Sequence, residues 1–349
     1  MSIKNIAKQV GCSPATVSRV LNNPEYHCSD EKLREKIWKV AMELDYVPNE
    51  AARKLKLGKG EERQKTFFIN VLVTRMDDAG TDPFFSELLR VIESEIHRNF
   101  CILTKVWYAS LFSDEKKCEK SDLEKIIREM FGETQDKSDG LVIIGKCSKK
   151  ALAIWQKHYK SIVSVNRNST NYQVDEVLCD GEKIAKKAVE CLISLGHERI
   201  GYVGEYHKEA RYQGYIDTLK KHGLEFEPED VIYCKQTEVA GFEAMQWLSQ
   251  QENPPTGLYC ANDIIAIGML KYLDKYKNRM YRPSIVASDD IEQAQNTSPM
   301  LTTVRLPREE MGRFAVRLLV DRMKGDHSSI VRMELEGKLM VRGSATPVK

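Results

Sequence analysis

At 349 residues the chain is too long for a single ordinary domain, and its 42% hydrophobic and 30% charged residues are typical of globular units with real cores. No stretch reaches the roughly 18 uninterrupted apolar residues of a membrane span, and the N-terminal segment has no apolar signal core, so a cytoplasmic protein without a membrane partner is expected. Residues 1–60 hold 11 Lys and Arg against 7 Asp and Glu, net +4, while the remainder carries −2, which suits a head that meets phosphates but also an ordinary solvated surface.

The first helix is predicted by an apolar stripe at helical spacing that runs from Ile3 to Val10 and is closed by Gly11. Ser13 then stands as an N-cap, with Pro14 in the first position of a second helix that starts almost at once. The face of this second helix that must pack inward consists of Val17, Val20 and Leu21. The face left outward consists of Pro14, Ala15, Ser18, Arg19 and Asn22.

A third helix is predicted after Ser29, where Asp30 and Glu31 lie in its positive first turn. Its apolar stripe consists of Leu33, Ile37, Val40, Ala41 and Leu44. Three short helices with a tight turn between the first two make the helix-turn-helix plan, in which the second helix enters the major groove. Periodicity alone is equally compatible with a small helical bundle that binds nothing.

The identities of these residues separate the two interpretations. Residues 5–22 and 46–55 closely resemble the DNA-recognition motif and hinge segment of the LacI/GalR (lactose/galactose repressor) family of bacterial transcription regulators. The resemblance implies double-stranded operator DNA as partner and gives base-reading positions to Pro14, Ala15 and Arg19. Apolar side chains suit contact with thymine methyl groups, and a guanidinium suits a bidentate contact with guanine.

Further matched positions imply contacts with the DNA backbone and a deformation of the duplex. The phosphate-binding positions, which fix register, are Ser13, Thr16, Ser18, Asn22, Tyr46 and Asn49. Leu55 matches the hinge leucine that wedges into a minor-groove step, with burial against its own head as the alternative. The DNA-binding head is therefore predicted at residues 1–58, its hinge helix at about 48–57, and a polar linker at 59–66.

From Phe67 onward, short β-rich runs alternate with amphipathic helices, which predicts parallel sheets with helices on both faces. The candidate strands are residues 67–73, 101–107, 140–144, 161–165, 199–203, 231–234, 257–260 and 284–287. Eight strands in this length favour two doubly wound sheets over one. Ligands of such folds bind at the carboxyl ends of the strands, here in a cleft between two lobes.

Several core segments resemble the periplasmic-binding-protein-like core of the same family. They lie at residues 82–85, 195–204, 211–215, 260–268 and 289–305. The predicted fold class is therefore α/β: a two-lobed periplasmic-binding-protein-like core of parallel sheets, preceded by an all-α helix-turn-helix head. The core is expected to span residues 67–349, divided into an N-lobe of about 67–165 plus 302–325 and a C-lobe of about 166–301 plus 326–349.

Mapped onto this core, the resemblance assigns a polar effector clamp to Arg211, Asn262 and Asp289. A guanidinium, an amide and a carboxylate together fix a sugar, whose vicinal hydroxyls both donate and accept hydrogen bonds. Structural alternatives stay open for each residue. They are a surface ion pair of Arg211 with Glu209 or Asp217, helix capping by Asn262 or its neighbour, and a simple loop role for Asp289.

The resemblance also places Asp82, Phe84 and Phe85 after the first core strand, where the family's first loop faces ligand. Stacking of the rings on a sugar face and packing in the core are both open for this aromatic pair. Ala287-Ser288 stands where the family commonly has Gly followed by Phe or Tyr. One wall of the pocket is therefore expected to differ.

We expect a homodimeric repressor of a carbohydrate-utilisation operon that a sugar releases from its operator. A slight similarity to the branch containing the repressor of the evolved β-galactosidase favours a galactoside, and a regulator with a purine or phosphosugar co-repressor is the alternative. A dimer is favoured over a tetramer because the C-terminal segment has no heptad pattern. Without a P-loop, G-x-G-x-x-G after the first strand, G-x-S-x-G, H-E-x-x-H or C-x-x-C motif, we expect no enzyme, no cofactor and no metal site.

Overall fold

The structure, a computed structural model, describes residues 3–22, 30–44, 66–77, 82–131, 138–166, 174–207, 209–277 and 281–348. The head consists of α1 Ile3–Val10, α2 Pro14–Asn22 and α3 Glu31–Glu43. Its small core is formed by apolar side chains, of which Ile6, Val17 and Ile37 are fully enclosed. Burial of each such side chain contributes about 1.5–3 kcal/mol, which holds the short helices together. The predicted helix-turn-helix plan is confirmed.

Local chemistry sets the boundaries of the head helices. Gly11 ends α1 in the left-handed conformation, with φ of 81°, which a glycine adopts at little cost. The Oγ of Ser13 accepts a hydrogen bond from Thr16 N at 3.0 Å and so caps α2. Asp30 caps α3 in the same way, since its Oδ1 accepts from Leu33 N at 3.1 Å.

The core strands and helices alternate along the chain. The strands are β1 Phe68–Val73, β2 Ile102–Tyr108, β3 Gly140–Ile144, β4 Ser161–Asn166, β5 Asp175–Leu178, β6 Ile200–Gly204, β7 Val231–Tyr233, β8 Gly257–Cys260, β9 Ser284–Asp289, β10 Thr302–Arg305, β11 Arg332–Glu334 and β12 Lys338–Met340. The helices are α4 Pro83–Arg98, α5 Glu115–Lys120, α6 Leu123–Phe131, α7 Lys149–His158, α8 Gly181–Ser194, α9 Ala210–Lys221, α10 Glu238–Leu248, α11 Asp263–Lys275 and α12 Arg308–Lys324. Across the described ranges, no helix has the length and apolar character that crossing a membrane requires.

The strands form two sheets, one in each lobe. The N-lobe sheet has the order β11-β5-β4-β3-β1-β2, and all of its neighbouring strands are parallel. The C-lobe sheet has the order β12-β10-β9-β8-β6-β7 and is parallel except for the edge strand β12, which runs antiparallel to β10. Central strands such as β3 are buried along their whole length, as expected of apolar runs covered on both faces. The predicted two-lobed core and all eight predicted strands are present.

The chain passes between the lobes three times, and the predicted lobe boundaries were wrong at each passage. Strand β5 lies in the range predicted for the C-lobe but pairs with β4 in the N-lobe sheet. Strand β10 lies in the range predicted for the N-lobe but pairs with β9 in the C-lobe sheet. Strand β11 lies in the range predicted for the C-lobe but pairs with β5 in the N-lobe sheet. Backbone hydrogen bonds between segments distant in sequence decide these memberships, and the local pattern does not contain them.

A buried carboxylate fastens β11 to the edge of the N-lobe sheet. The Asp175 side chain is fully buried and accepts hydrogen bonds from Arg322 Nε at 2.6 Å and Arg322 Nη2 at 2.7 Å. It also lies 2.9 Å from His327 Nε2 and accepts from Val331 N at 2.8 Å. Burial by itself opposes the charge, but these partners, Arg322 foremost, lower the pKa of Asp175. The short edge strand is thus held by a fully bonded charge.

Candidate functional site

The first candidate site is the outward face of α2. Ser13, Pro14, Ala15 and Arg19 are exposed, and Thr16 and Ser18 are half-buried, so the matched side chains lie on the surface of the head. Ser13 Oγ lies 2.8 Å from Thr16 Oγ1, in addition to capping the helix. The side chain of Asn22 and the residues Tyr46, Asn49 and Leu55 lie outside the described residues, as does most of the predicted hinge and linker.

The second candidate site lies at the carboxyl edge of the C-lobe sheet. The strands β9, β8, β6 and β7 are neighbours in this order. Asp289 ends β9, Asn262 follows β8, and Arg211 follows β6 at the start of α9. Because the carboxyl ends of parallel strands meet at one sheet edge, the structure brings these three residues together there.

Arg211 is buried, with only 1% of its surface exposed. Its Nε donates to Glu209 Oε1 at 2.9 Å, and its Nη1 donates to the carbonyl oxygen of Ala261. Burial opposes the charge, but the Glu209 carboxylate outweighs it and raises the pKa of Arg211 well above its usual value. The ion pair of Arg211 with Glu209 is therefore buried, whereas the structural alternative predicted a surface ion pair. Asp217 instead accepts from Gln213 Nε2 at 3.0 Å.

Asn262 both caps a helix and contacts the segment that follows β7, two strands away in the sheet. Its Oδ1 accepts from Ile265 N at 3.1 Å, which caps α11. Its Nδ2 donates to Gln236 Oε1 at 3.2 Å, just past β7. The Nε2 of Gln236 is buried and has no hydrogen-bond partner within the described part of the chain. Sequence reasoning missed Gln236, although its place after β7, at the same sheet edge, was a usable signal.

Asp289 ends β9 in a strained backbone conformation. Its φ is 126° and that of Asp290 is 54°, and such positive values cost about 1–3 kcal/mol each in residues other than glycine. Nearby, the fully buried carboxylate of Asp263 accepts from Thr303 Oγ1 at 2.5 Å and from Ile291 N at 2.9 Å. Burial first, and then the Asp289 carboxylate, raise the pKa of Asp263 well above its usual value. Strain and like charges are concentrated at this sheet edge.

Arg308, the first residue of α12, joins the two lobes here. Its Nη1 donates to the carbonyl oxygens of Asp289 at 3.1 Å and Asp290 at 3.0 Å, both in the C-lobe. Its Nη2 lies 3.0 Å from Glu87 Oε2 on α4 of the N-lobe. The guanidinium therefore supports the strained segment from the opposite lobe. Sequence reasoning missed Arg308, because its partners are remote along the chain.

For the aromatic pair of the N-lobe, the structure favours packing in the core, one of the two alternatives left open by the sequence. Phe84 and Phe85 are 1% and 2% exposed, belong to the hydrophobic core, and meet edge to face with ring centroids 5.1 Å apart. Both rings are therefore packed in the core, with the guanidinium of Arg308 6.0 Å from the ring centroid of Phe84 and that of Arg75 5.9 Å from the ring centroid of Phe85. Asp82 caps α4, since its Oδ1 accepts from Phe84 N at 3.0 Å and from Phe85 N at 3.4 Å.

Ala287-Ser288, where a different pocket wall is expected, lies near the end of β9. Ser288 is fully buried, and its Oγ lies 2.9 Å from the hydroxyl of Tyr259, which is itself fully buried. The expected difference in the pocket wall stays a prediction. No group of His, Cys, Asp and Glu side chains in the described ranges is arranged to hold a metal ion.

Known families and proteins match both parts of the chain. The family "Bacterial regulatory proteins, lacI family" matches residues 2–49, and "Periplasmic binding protein-like domain" matches residues 189–345. The HTH-type transcriptional repressor CytR of Escherichia coli strain K12 is 30% identical over 352 residues, covering 98% of this chain and 96% of that repressor. The ribose operon repressor of Haemophilus influenzae is 28% identical over 353 residues, covering 100% of this chain and 99% of that repressor.

A solved complex of the transcriptional regulator CelR with cellobiose shares the fold, with a TM-score of 0.65, 24% identity, and coverage of 99% of this chain and 100% of that one.

The match to CytR covers 98% of this chain and so includes both the head and the core. The resemblance predicted from the residues is confirmed, together with the fold class. The chain therefore belongs to the LacI family of bacterial DNA-binding transcription regulators.

Proposed function

We propose that this chain, as a homodimer, represses a carbohydrate-utilisation operon and that a free sugar bound at the C-lobe site releases it from the operator. The observation that carries the effector part is the convergence of Arg211, Asn262 and Asp289 at one sheet edge that Arg308 joins to the opposite lobe. Relatives support it, since one is named for a ribose operon and a structural neighbour holds cellobiose. A galactoside is the first sugar to test.

Operator binding is assigned to the outward face of α2. Pro14 and Ala15 contact thymine methyl groups, and Arg19 reads guanine in the major groove. The residues assigned to phosphate contact are Ser13, Thr16, Ser18, Asn22, Tyr46 and Asn49. Leu55 wedges into the minor groove. Two heads on one dimer require two half-sites related by the same two-fold symmetry.

Sugar binding is assigned to complementary donors and acceptors at the strand ends. The carboxylate of Asp289 accepts from hydroxyl groups, while Arg211 and Asn262 supply N–H donors. The Nε2 of Gln236 is a buried donor without a partner among the described residues, and a sugar oxygen satisfies it. We therefore add Gln236 to the clamp. Asp82 stays a candidate at the N-lobe side.

The charge of the site favours a free sugar over a phosphosugar. The positive charge of Arg211 is already matched by Glu209, and Asp289 adds a carboxyl group at the same edge. A phosphate group brought there meets the Asp289 carboxylate and no unmatched cation among these three residues, which disfavours it. The phosphosugar alternative therefore receives no support from the site.

Sugar binding releases the protein from operator DNA if the sugar-bound and operator-bound forms differ in the arrangement of the two lobes. A coupling free energy of about 1–3 kcal/mol between two such sites is typical, and it is reciprocal. Operator DNA must then weaken sugar binding by the same factor by which sugar weakens operator binding. Measuring both factors therefore tests the coupling between the two sites without knowledge of the conformational change that transmits it.

The proposal is tested by fluorescence anisotropy of the protein on its own promoter DNA at fixed salt, titrated with galactosides, ribose, cellobiose, purines and phosphosugars. We expect selective operator binding that one free sugar weakens. Selective binding that responds only to a phosphosugar or purine contradicts the effector assignment. Binding that is equal on operator and random DNA contradicts the assignment of α2.

A further inference from the structure

The head touches the core at a point that neither candidate site includes. The indole ring of Trp38 on α3 stacks on the imidazole of His97 in the last turn of α4, with ring centroids 4.1 Å apart and an angle of 27° between the planes. Trp38 is half-buried and also packs against the apolar core of the head. The stack is thus a direct contact between the head and the N-lobe.

The imidazole of His97 is in its neutral form where it lies under the head. Burial, and then the guanidinium of Arg34, lower the pKa of His97 to about 4. Arg34 lies one helical turn before Trp38, so both side chains project from the same face of α3. At neutral pH the imidazole is uncharged, and an uncharged ring stacks on an indole without repulsion from Arg34.

The contact leaves the recognition surface open. Ser13, Pro14, Ala15 and Arg19 on α2 are exposed while α3 lies against α4. The core therefore does not cover the face assigned to DNA, and an inhibitory role by occlusion is excluded for this arrangement. A contact that fixes a binding module without hiding its surface reduces the entropy lost when that module binds.

We propose that the C-terminal turn of α4 is a docking surface for the chain's own head, with His97 at its centre and Trp38 as its occupant. Docking holds the head against the N-lobe in an orientation that presents α2 to DNA. The consequence for operator affinity rests on the proposed function, whereas docking itself does not. The interaction free energy of an aromatic pair corresponds to about a two- to tenfold change in the equilibrium constant for docking.

The test compares the full-length wild type with His97→Ala and with His97→Phe, which restores an aromatic ring. Arg98→Ala is the matched control, since Arg98 is mostly exposed and pairs only with Glu95 of its own helix among the contacts described. Thermal melting of the core verifies that each variant folds. Hydrogen exchange of the α3 amides, measured without DNA, reports docking directly.

We expect faster α3 exchange in His97→Ala, restoration in His97→Phe, and wild-type exchange in Arg98→Ala. Operator affinity should fall by about two- to tenfold in His97→Ala with sugar affinity unchanged. Unchanged α3 exchange in His97→Ala, or equal exchange in the Ala and Phe variants, overturns the docking surface. If no variant or wild type binds operator selectively, the proposed function fails, while the exchange measurement still decides docking.

Discussion

Each lobe contains a cluster of polar groups around a buried carboxyl group, and the two clusters differ in how completely hydrogen-bond and ion-pair partners match the charge. Asp175 in the N-lobe has both oxygens bonded, by Arg322, His327 and a backbone N–H, in a regular strand. In the C-lobe, burial and then the Asp289 carboxylate raise the pKa of Asp263, and Asp289 sits in strained backbone. A fully bonded charge stabilises the fold, whereas strain and like charge store free energy that a bound ligand can relieve. We therefore expect the N-lobe cluster to serve stability and propose that the C-lobe cluster serves binding.

The largest effect is expected when the N-lobe cluster is broken. Arg322→Ala leaves the Asp175 carboxylate buried without its main partner, so the free energy of unfolding should fall by about 3–5 kcal/mol. The affinity of the folded protein for sugar should not change. Urea unfolding and calorimetric titration measure the two quantities. Arg317→Ala, an exposed position on the same helix, is the control and should change stability by about 0.5 kcal/mol or less.

A mutation in the C-lobe cluster should have the opposite pattern. Asp289→Asn removes a charged acceptor, so sugar affinity should fall by roughly 10- to 100-fold. Stability should not decrease, because asparagine tolerates a positive φ and the like charge beside Asp263 is lost. Calorimetric titration and urea unfolding are again the measurements. A variant that unfolds easily but binds sugar normally would place this cluster with the structural one.

Arg308→Ala tests whether the two lobes act together at the site. Without the guanidinium, the carbonyl oxygens of Asp289 and Asp290 lose their donor and the link to Glu87 is broken. Sugar affinity should fall by about three- to tenfold, since the strained segment is less well positioned. Arg317→Ala serves as control on the same helix. An unchanged affinity with Arg308→Ala contradicts the positioning role.

The smallest effect is a difference in pH dependence. The pKa of Asp175 is lowered in the folded state, so its contribution to stability is present above the ordinary carboxyl pKa of about 3.9 and is lost as pH falls through the lower native value. The pKa of Asp263 is raised, so its contribution has the opposite sign and stability decreases as pH rises from about 3.9 through the native value.

Asp289→Asn removes one cause of the raised pKa of Asp263 and leaves Asp175 untouched. The gain in unfolding free energy of this variant over wild type should therefore grow from pH 4 toward pH 8. Urea unfolding at several pH values in this range measures it. A gain that is constant with pH shows that the two C-lobe carboxyl groups do not interact.

The sequence predicted the elements whose signal is local. The apolar stripes of the head and the Val- and Ile-rich strands such as β3 follow from periodicity and burial on one or two faces. The four strands that were missed, β5, β10, β11 and β12, have three or four residues each and carry charged or hydroxyl side chains. They are strands because distant segments pair with them, and that pairing has no local pattern.

The candidate site was likewise predictable only in part from the sequence. Asn262 and Asp289 were predicted because their segments resemble the family's, and the structure places both at strand ends of one sheet edge. The roles of Phe84 and Phe85 stayed open in the sequence, since an apolar ring beside a loop has the same sequence signal whether it faces ligand or core. Arg308 was missed because its role depends on two lobes that only the folded chain brings together.

Helix α4 runs from one functional region to the other. Its N-terminal end has Asp82 as cap and Glu87, in the second turn, beside Arg308, and its last turn carries His97 beneath Trp38. Sixteen residues of α-helix span about 24 Å, so a tilt of about 5° at the first turn displaces the far end by about 2 Å. Such a displacement is half the separation of the stacked rings. The helix has the dimensions of a lever that converts a small change of angle at the cleft into loss of ring contact under the head.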